Sequence, residues 1–204
     1  MLHYQAIFFD FDGVLADTEP LHHSCWRETL LPFGIDLEWE WYRANCIGVA
    51  DRAMIEAICR HAAKPVDPDL VWPSYSAKQK LYGRLVVEAP PFPEEVLDLI
   101  RSLRRHRLGV VSSSGRAEVE PLLVRAGIRE YFEVVVCGED VQRHKPAPDP
   151  YLLAARTLAV TDALVVEDSA AGVASGQAAG FDVLQIPHPS QLPGLLRSRL
   201  ADGY

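Results

Sequence analysis

Basic residues are in short supply in this chain. Its 20 Lys and Arg stand against 28 Asp and Glu, for a net charge of −8. That balance argues against a nucleic-acid partner held by a basic surface. It leaves a phosphorylated small molecule open, because a metal and a few local cations override net charge. Cysteine is scarce as well: Cys25, Cys46, Cys59 and Cys137 are scattered and form no C-x-x-C pair. The spacing excludes a zinc ribbon or a dithiol redox motif. Free, buried thiols in a reducing compartment are expected instead. No apolar stretch approaches the length of a membrane span. The opening residues 1–5 carry no charged and apolar leader pattern. Internal repeats and low-complexity tracts are also lacking. A cytoplasmic monomer with no membrane partner is the expected setting.

The 204 residues, 49% of them hydrophobic, suit one core with a modest insert. The apolar run Ala6-Ile7-Phe8-Phe9 reads as a buried strand. Further strands are predicted over 108–111, 134–137, 164–166 and 182–186. Helices are predicted over 93–105, 116–126, 149–158 and 170–179, with Gly127 and Gly180 closing two of them. Strands alternating with helices give an α/β fold, a doubly wound and mostly parallel sheet with right-handed crossovers. From Leu15 to Glu88 the alternation stops. That stretch has no convincing strand and is rich in Trp26, Trp39, Trp41, Tyr42, Trp72, Tyr75 and Tyr82. It reads as a helical insert folded over the carboxyl end of the sheet, with most of these aromatics forming its own core. The breaker cluster Ala89-Pro90-Pro91-Phe92-Pro93 marks its end. A short tail helix is predicted through Leu192, Leu195, Leu196 and Leu200.

Ligands of open α/β sheets bind beyond the carboxyl ends of the strands. Four segments bring polar groups there. Asp10 and Asp12 follow the first strand one strand period apart, and Gly13 lets the chain turn tightly. Ser112-Ser113-Ser114-Gly115 offers hydroxyl and N–H donors to an anion at a helix entry. Lys145 precedes the proline-stiffened Pro146-Ala147-Pro148, and Glu167-Asp168-Ser169 leaves another strand. Singly, these are a turn, two helix caps and a solvated lysine. Together they make a hard-cation site of oxygen ligands, suited to Mg²⁺ with a substrate phosphate. A lysine and hydroxyls surround the phosphoryl oxygens.

The set Phe8-Phe9-Asp10-Phe11-Asp12-Gly13-Val14-Leu15-Ala16-Asp17-Thr18-Glu19, Ser112-Ser113-Ser114, Lys145-Pro146-Ala147-Pro148 and Glu167-Asp168-Ser169-Ala170-Ala171-Gly172 resembles the haloacid dehalogenase superfamily. It is most similar to the branch of small phosphatases and β-phosphoglucomutases with a helical cap. The resemblance covers essentially the whole chain and implies a Rossmann-like core over 1–15 and 89–204 with a cap domain over 16–88. It implies a Mg²⁺-dependent phosphohydrolase of a small phosphorylated metabolite, with a sugar phosphate as the expected substrate. Asp10 would be the nucleophile that becomes an aspartyl-phosphate. Asp12 would be the general acid/base, lying far enough from the metal to carry a proton. Mg²⁺ would be held by Asp10, the Asp12 backbone carbonyl and Asp168, with Glu167 as a ligand or its supporting partner. Ser112 and the Ser113 N–H would contact the phosphoryl group, and Lys145 would offset its charge. Thr18, His22, Arg52 and Lys78 would line the cap's inner face and bind substrate, Lys80 competing with Lys78. The alternatives are a β-phosphoglucomutase, which shares every core residue, and a non-catalytic binding protein on the same fold.

Overall fold

The computed structural model describes residues 4–88 and 91–201. The leader reading over 1–5, the expected boundary at Ala89 and Pro90, and the end of the predicted tail therefore lie wholly or partly outside the described residues.

Strands β1 (Ala6–Phe9), β2 (Arg107–Val111), β3 (Phe132–Val136), β4 (Ala163–Glu167) and β5 (Asp182–Gln185) form a parallel sheet in the order β3-β2-β1-β4-β5. β1 lies at its centre with all four residues buried. Both faces of such a strand are covered, so its sequence is apolar throughout instead of alternating. Ile7 and Phe9 join one layer with Val110, Leu164 and Val166. Ala6 and Phe8 join the other with Val134, Val136 and Val165. Gly109 makes this possible on the second face, since a Cβ there would lie 2.9 Å from the Phe8 ring. β3 begins at Phe132, earlier than expected, because Glu133 points out of the layer and pairs with Arg107 of β2 at 2.6 Å.

Between β1 and β2 run α1 (Glu19–Leu30), α2 (Trp39–Asn45), α3 (Asp51–His61), α4 (Pro68–Val71), α5 (Tyr75–Glu88) and α6 (Glu94–Ser102). After β2 come α7 (Arg116–Arg125), α8 (Asp149–Leu158), α9 (Ala170–Ala178) and α10 (Leu192–Ala201). α6 is shorter than expected: Pro93 is its N-cap and the backbone leaves helical geometry at Leu103, turning the chain toward β2. α10 buries Leu192 and Leu196 in the first layer, while Leu195 is exposed.

Helices α1 to α5 follow one another with no strand between them among the described residues. They build a separate apolar cluster around Trp26, Leu30, Tyr42, Ile55 and Ile58, on which Trp39, Trp41, Trp72 and Tyr75 pack. Tyr82 is the exception, lying in the sheet-side layer. The joint between insert and sheet helices is polar at one point. Lys78 of α5, fully buried, gives its ammonium to the Glu118 carboxylate of α7 at 3.1 Å and 3.3 Å. No helix is long and apolar enough to cross a membrane, among the described residues.

Candidate active site

β1, β2 and β4 end at the same edge, and their exits carry the expected groups. The Asp10 N–H donates to the Val166 carbonyl at 2.9 Å, so the pairing with β4 extends one residue past the strand. Lys145 Nζ reaches Asp10 Oδ1 at 2.7 Å, Glu167 Oε1 at 2.6 Å and the Val111 carbonyl at 2.9 Å. Burial would lower its pKa, but Asp10 and Glu167 outweigh that and keep the ammonium charged. Tyr151 Oη gives a second bond to Glu167 Oε1 at 2.7 Å. Glu167 Oε2 accepts from the Asp168 N–H, the Ser169 N–H and the Ser169 hydroxyl at 3.1, 3.4 and 3.2 Å. Both oxygens of this fully buried carboxylate are therefore engaged.

Gly172 leaves room for it. A Cβ at that position would collide with the Glu167 carboxylate. Gly172→Ala is expected to displace Glu167, leave Lys145 short of a partner and depress both turnover and melting temperature. Unchanged values of both in a phosphate-release assay and a thermal melt would count against this role for Gly172.

Ligand atoms of Asp10, Glu167 and Asp168 lie within 4.8 Å of one another. Asp168 Oδ1 is buried with no hydrogen-bond partner among the described residues. Burial first, then Glu167, push Asp10 well above the ordinary carboxylate range. The same two causes push Asp168 up to about 8. Crowded, buried, oxygen-only carboxylates with a free lone pair fit a hard divalent cation, which would remove the mutual repulsion. Gly13, at φ +75°, belongs to this cluster: a Cβ there would meet the Asp168 carboxylate.

Asp12 is held differently. Thr18 Oγ1 donates to its Oδ1, which also meets His22 Nε2 at 3.2 Å. Its Oδ2 accepts from Ser114 Oγ at 2.7 Å and Ser112 Oγ at 3.3 Å. Burial would raise the Asp12 carboxyl, but His22, Thr18 and Ser114 together hold it well below its usual range. Burial and Lys78 would lower His22, yet Asp12 raises it. Asp12 and the imidazole thus shift in opposite directions, and the imidazole stacks on the Tyr82 ring at 4.2 Å between centroids.

A cavity of about 30 Å³ opens over these groups. That is space for roughly two waters. Asp10, Asp12, Ser113 and Ser114 line it from the sheet side; Glu19, His22, Trp26, Tyr42, Asp51 and Met54 line it from the insert. Ser113 Oγ also bonds the Gly48 carbonyl at 3.2 Å, tying the two parts together. Two expected substrate contacts are not brought in. Lys78 is sealed against Glu118, with the rings of Trp26 and Tyr82 5.4 and 5.2 Å away. Arg52 lies over Trp72 and binds Glu56 and Asp69. Of the lining residues with carboxylate or hydroxyl groups, Glu19, Tyr42 and Asp51 are given no site role by the sequence, and Ser114 enters there only as part of the serine run. A signal exists for one of them: Glu19, His22 and Trp26 repeat at helical spacing and share a face of α1.

The pattern of the haloacid dehalogenase-like hydrolases matches residues 7–186. The chain belongs to that family. It is 32% identical to the fructose-1-phosphate phosphatase YqaB of Escherichia coli K12, over 90% of this chain and 96% of YqaB. It is 31% identical to a phosphorylated carbohydrates phosphatase of Thermotoga maritima, over 87% and 82% of the two chains. Among solved structures, CbbY from Rhodobacter sphaeroides in complex with phosphate superimposes with a TM-score of 0.80 at 33% identity, covering 91% of this chain and 87% of CbbY. With relatives of this kind and Asp10 and Asp12 both in place, the haloacid dehalogenase-like chain is a phosphatase.

Proposed function

We propose that this phosphatase hydrolyses a small sugar monophosphate through a phosphoryl group carried transiently on Asp10, with Mg²⁺ in the acidic cluster and residues 16–88 acting as a cap. The observation that carries the reading is the pairing of Asp10 with Lys145 on one side and the acidic cluster on the other, beneath a cavity that also holds the His22–Asp12 pair. The names of YqaB and the Thermotoga relative point to sugar phosphates as the substrate class.

Asp10 and Asp168 would hold the metal, with the Asp12 carbonyl completing the protein's share. Glu167, its oxygens engaged, would add charge and fix Lys145. Bound Mg²⁺ would neutralise phosphoryl charge and keep Asp10 ionised. An Asp10 carboxylate oxygen attacks phosphorus while the bond to the sugar oxygen breaks. The departing oxygen takes a proton from the Asp12–His22 pair. In the second half, Asp12 accepts a proton from water as that water attacks the acyl phosphate, releasing inorganic phosphate and regenerating Asp10. Lys145, Ser112 and the Ser113 N–H would stabilise charge spread over the phosphoryl oxygens. Because the cavity holds only water-sized space, substrate entry requires the insert to move, and closure then excludes water.

Thr18 and His22 on Asp12 would serve a β-phosphoglucomutase equally well. A mutase, however, must also seat the sugar with its phosphate at the insert end. Of the cations expected there, Lys78 is sealed against Glu118, and Arg52 is not among the residues that line the cavity. Hydrolysis is therefore the better reading.

Chelation tests the metal assignment. EDTA is expected to stop phosphate release and added Mg²⁺ to restore it. Full turnover in EDTA would remove the role given to Asp168.

A further inference from the structure

A second cleft runs along the joint between α5 and α7 and shares no lining residue with the cavity over Asp10. Its volume is about 610 Å³. Small-molecule sites span roughly 300–1,000 Å³. Tyr82, Gly83 and Val86 of α5 form one wall, and Pro121, Leu122 and Val124 of α7 form the other. Val124 stands at the lip, 63% exposed.

The walls say what would fill the cleft. Gly83 lies inside α5, where glycine weakens a helix relative to alanine. Packing does not require it: a Cβ there would meet no atom within 4 Å. The missing side chain keeps the cleft open. Tyr82 is only 1% exposed, and its hydroxyl is buried with no hydrogen-bond partner among the described residues. That leaves a donor unused in the wall. Charge that is not cancelled here is positive. Glu118 is the only carboxylate among the described lining residues, and Lys78 neutralises it at 3.1 Å. Lys80, expected from the sequence to compete with Lys78 for substrate, lines this cleft and not the cavity over Asp10. It is exposed and has no ion pair among the described residues. An apolar body between Val86 and Leu122, with a carboxylate head accepting from Lys80 and Tyr82, fits these walls.

We infer that this cleft is a regulatory site for a small amphipathic carboxylate, whose binding holds the insert against the sheet helices. An occupant touching both α5 and α7 binds this arrangement more tightly than one in which the walls part. A ligand shifts an equilibrium by that difference in affinity. Substrate entry requires the insert to move, so the occupied enzyme turns over more slowly. Tyr82 also connects the two sites, since His22 stacks on its ring at 4.2 Å between centroids. The cleft stands apart from the hydrolytic reading above; only its effect on turnover rests on that reading.

Octanoate is the probe, with octanol and octylammonium as controls for the head group. Calorimetry on the full chain is expected to show saturable octanoate binding, ~10-fold or more tighter than that of either control. Gly83→Leu fills the cleft and favours the helix. It is expected to weaken octanoate ~10-fold or more, with the melting temperature unchanged or raised. Val124→Asp, at the exposed lip, is the second variant should Gly83→Leu fail to fold, with the same expected loss. Lys80→Glu is expected to narrow the margin of octanoate over octylammonium ~10-fold. No saturable binding, or binding that neither cleft variant weakens, overturns the site. Equal binding of all three probes overturns the assignment of the head group.

In the wild type with Mg²⁺, saturating octanoate is expected to lower kcat/KM for p-nitrophenyl phosphate ~5-fold or more and to slow amide hydrogen exchange in α5. Both responses should vanish in Gly83→Leu and Val124→Asp. A turnover loss that survives both variants would put octanoate at the catalytic site and overturn the regulatory role, as would full turnover and unchanged exchange with the cleft occupied. Silence toward p-nitrophenyl phosphate and every sugar phosphate without octanoate would sink the hydrolytic reading, while calorimetry and exchange would still decide the cleft.

Discussion

Replacing Asp10 by Asn is expected to remove at least ~10⁴-fold of the phosphatase turnover, the scale seen when a catalytic nucleophile is lost. The fold is expected to survive unharmed. The amide of the variant keeps an oxygen for Lys145, whose ammonium lies 2.7 Å from Asp10 Oδ1. Burial and Glu167 already push the Asp10 carboxyl well above its ordinary range. A carboxyl whose folded pKa exceeds its unfolded one costs stability when ionised, increasingly so as pH rises above the unfolded value. Removing that charge should therefore leave the melting temperature of the metal-free protein at or above that of the wild type. Phosphate release and a thermal melt in EDTA check both halves. Retained turnover would end the nucleophile assignment. Lost activity with a collapsed fold would make Asp10 a structural residue instead.

Lys78→Met is expected to cause the largest loss of stability, about 3–5 kcal/mol, because it leaves a buried carboxylate without its partner. The pair is sealed between α5 and α7, with side-chain exposures of 0% for Lys78 and 4% for Glu118. Burial pushes Glu118 upward and Lys78 only partly offsets it. A drop of about 10 °C in melting temperature corresponds to such a loss in a chain of this size. The double variant Lys78→Met, Glu118→Leu should recover most of it, since an apolar pair of similar volume avoids the unpaired charge. A single variant that melts with the wild type would show that the joint does not depend on this ion pair. The joint also bears on catalysis. Lys78 lies 5.2 Å from the Tyr82 ring, on which His22 stacks. Loosening it should lower kcat in the single variant and restore it in the double.

The sheet and the sheet side of the site are legible in the sequence for one physical reason. A parallel strand covered on both faces must be apolar, so the runs 6–9 and 164–166 stand out, and the polar residues that follow them are delivered to one edge. Asp10, Asp12, Lys145, Glu167 and Asp168 can be singled out that way. The insert side is harder to read. Arg52 and Lys78 are cations in helices, and nothing in a sequence tells a cation facing substrate from one sealed against a carboxylate such as Glu118, 40 residues away. Glu19 and Tyr42 belong to different helices, and their meeting depends on how α1 and α2 pack. The partners of Asp12 escape the sequence for a related reason. Asp10 and Asp12 are two residues apart, yet His22, Thr18 and Ser114 offset burial and lower the Asp12 carboxyl while burial and Glu167 raise that of Asp10.

The most direct measurement is phosphate release by the wild-type protein with Mg²⁺ across a panel of sugar monophosphates, with glucose 6-phosphate formation from β-glucose 1-phosphate followed in parallel. The predicted result is stoichiometric free phosphate from one or a few monophosphates, lost on chelation and in Asp10→Asn. Glucose 6-phosphate accumulating without matching phosphate release, or silence across the whole panel, would contradict the assignment of Asp10 as the nucleophile of a sugar-phosphate hydrolase.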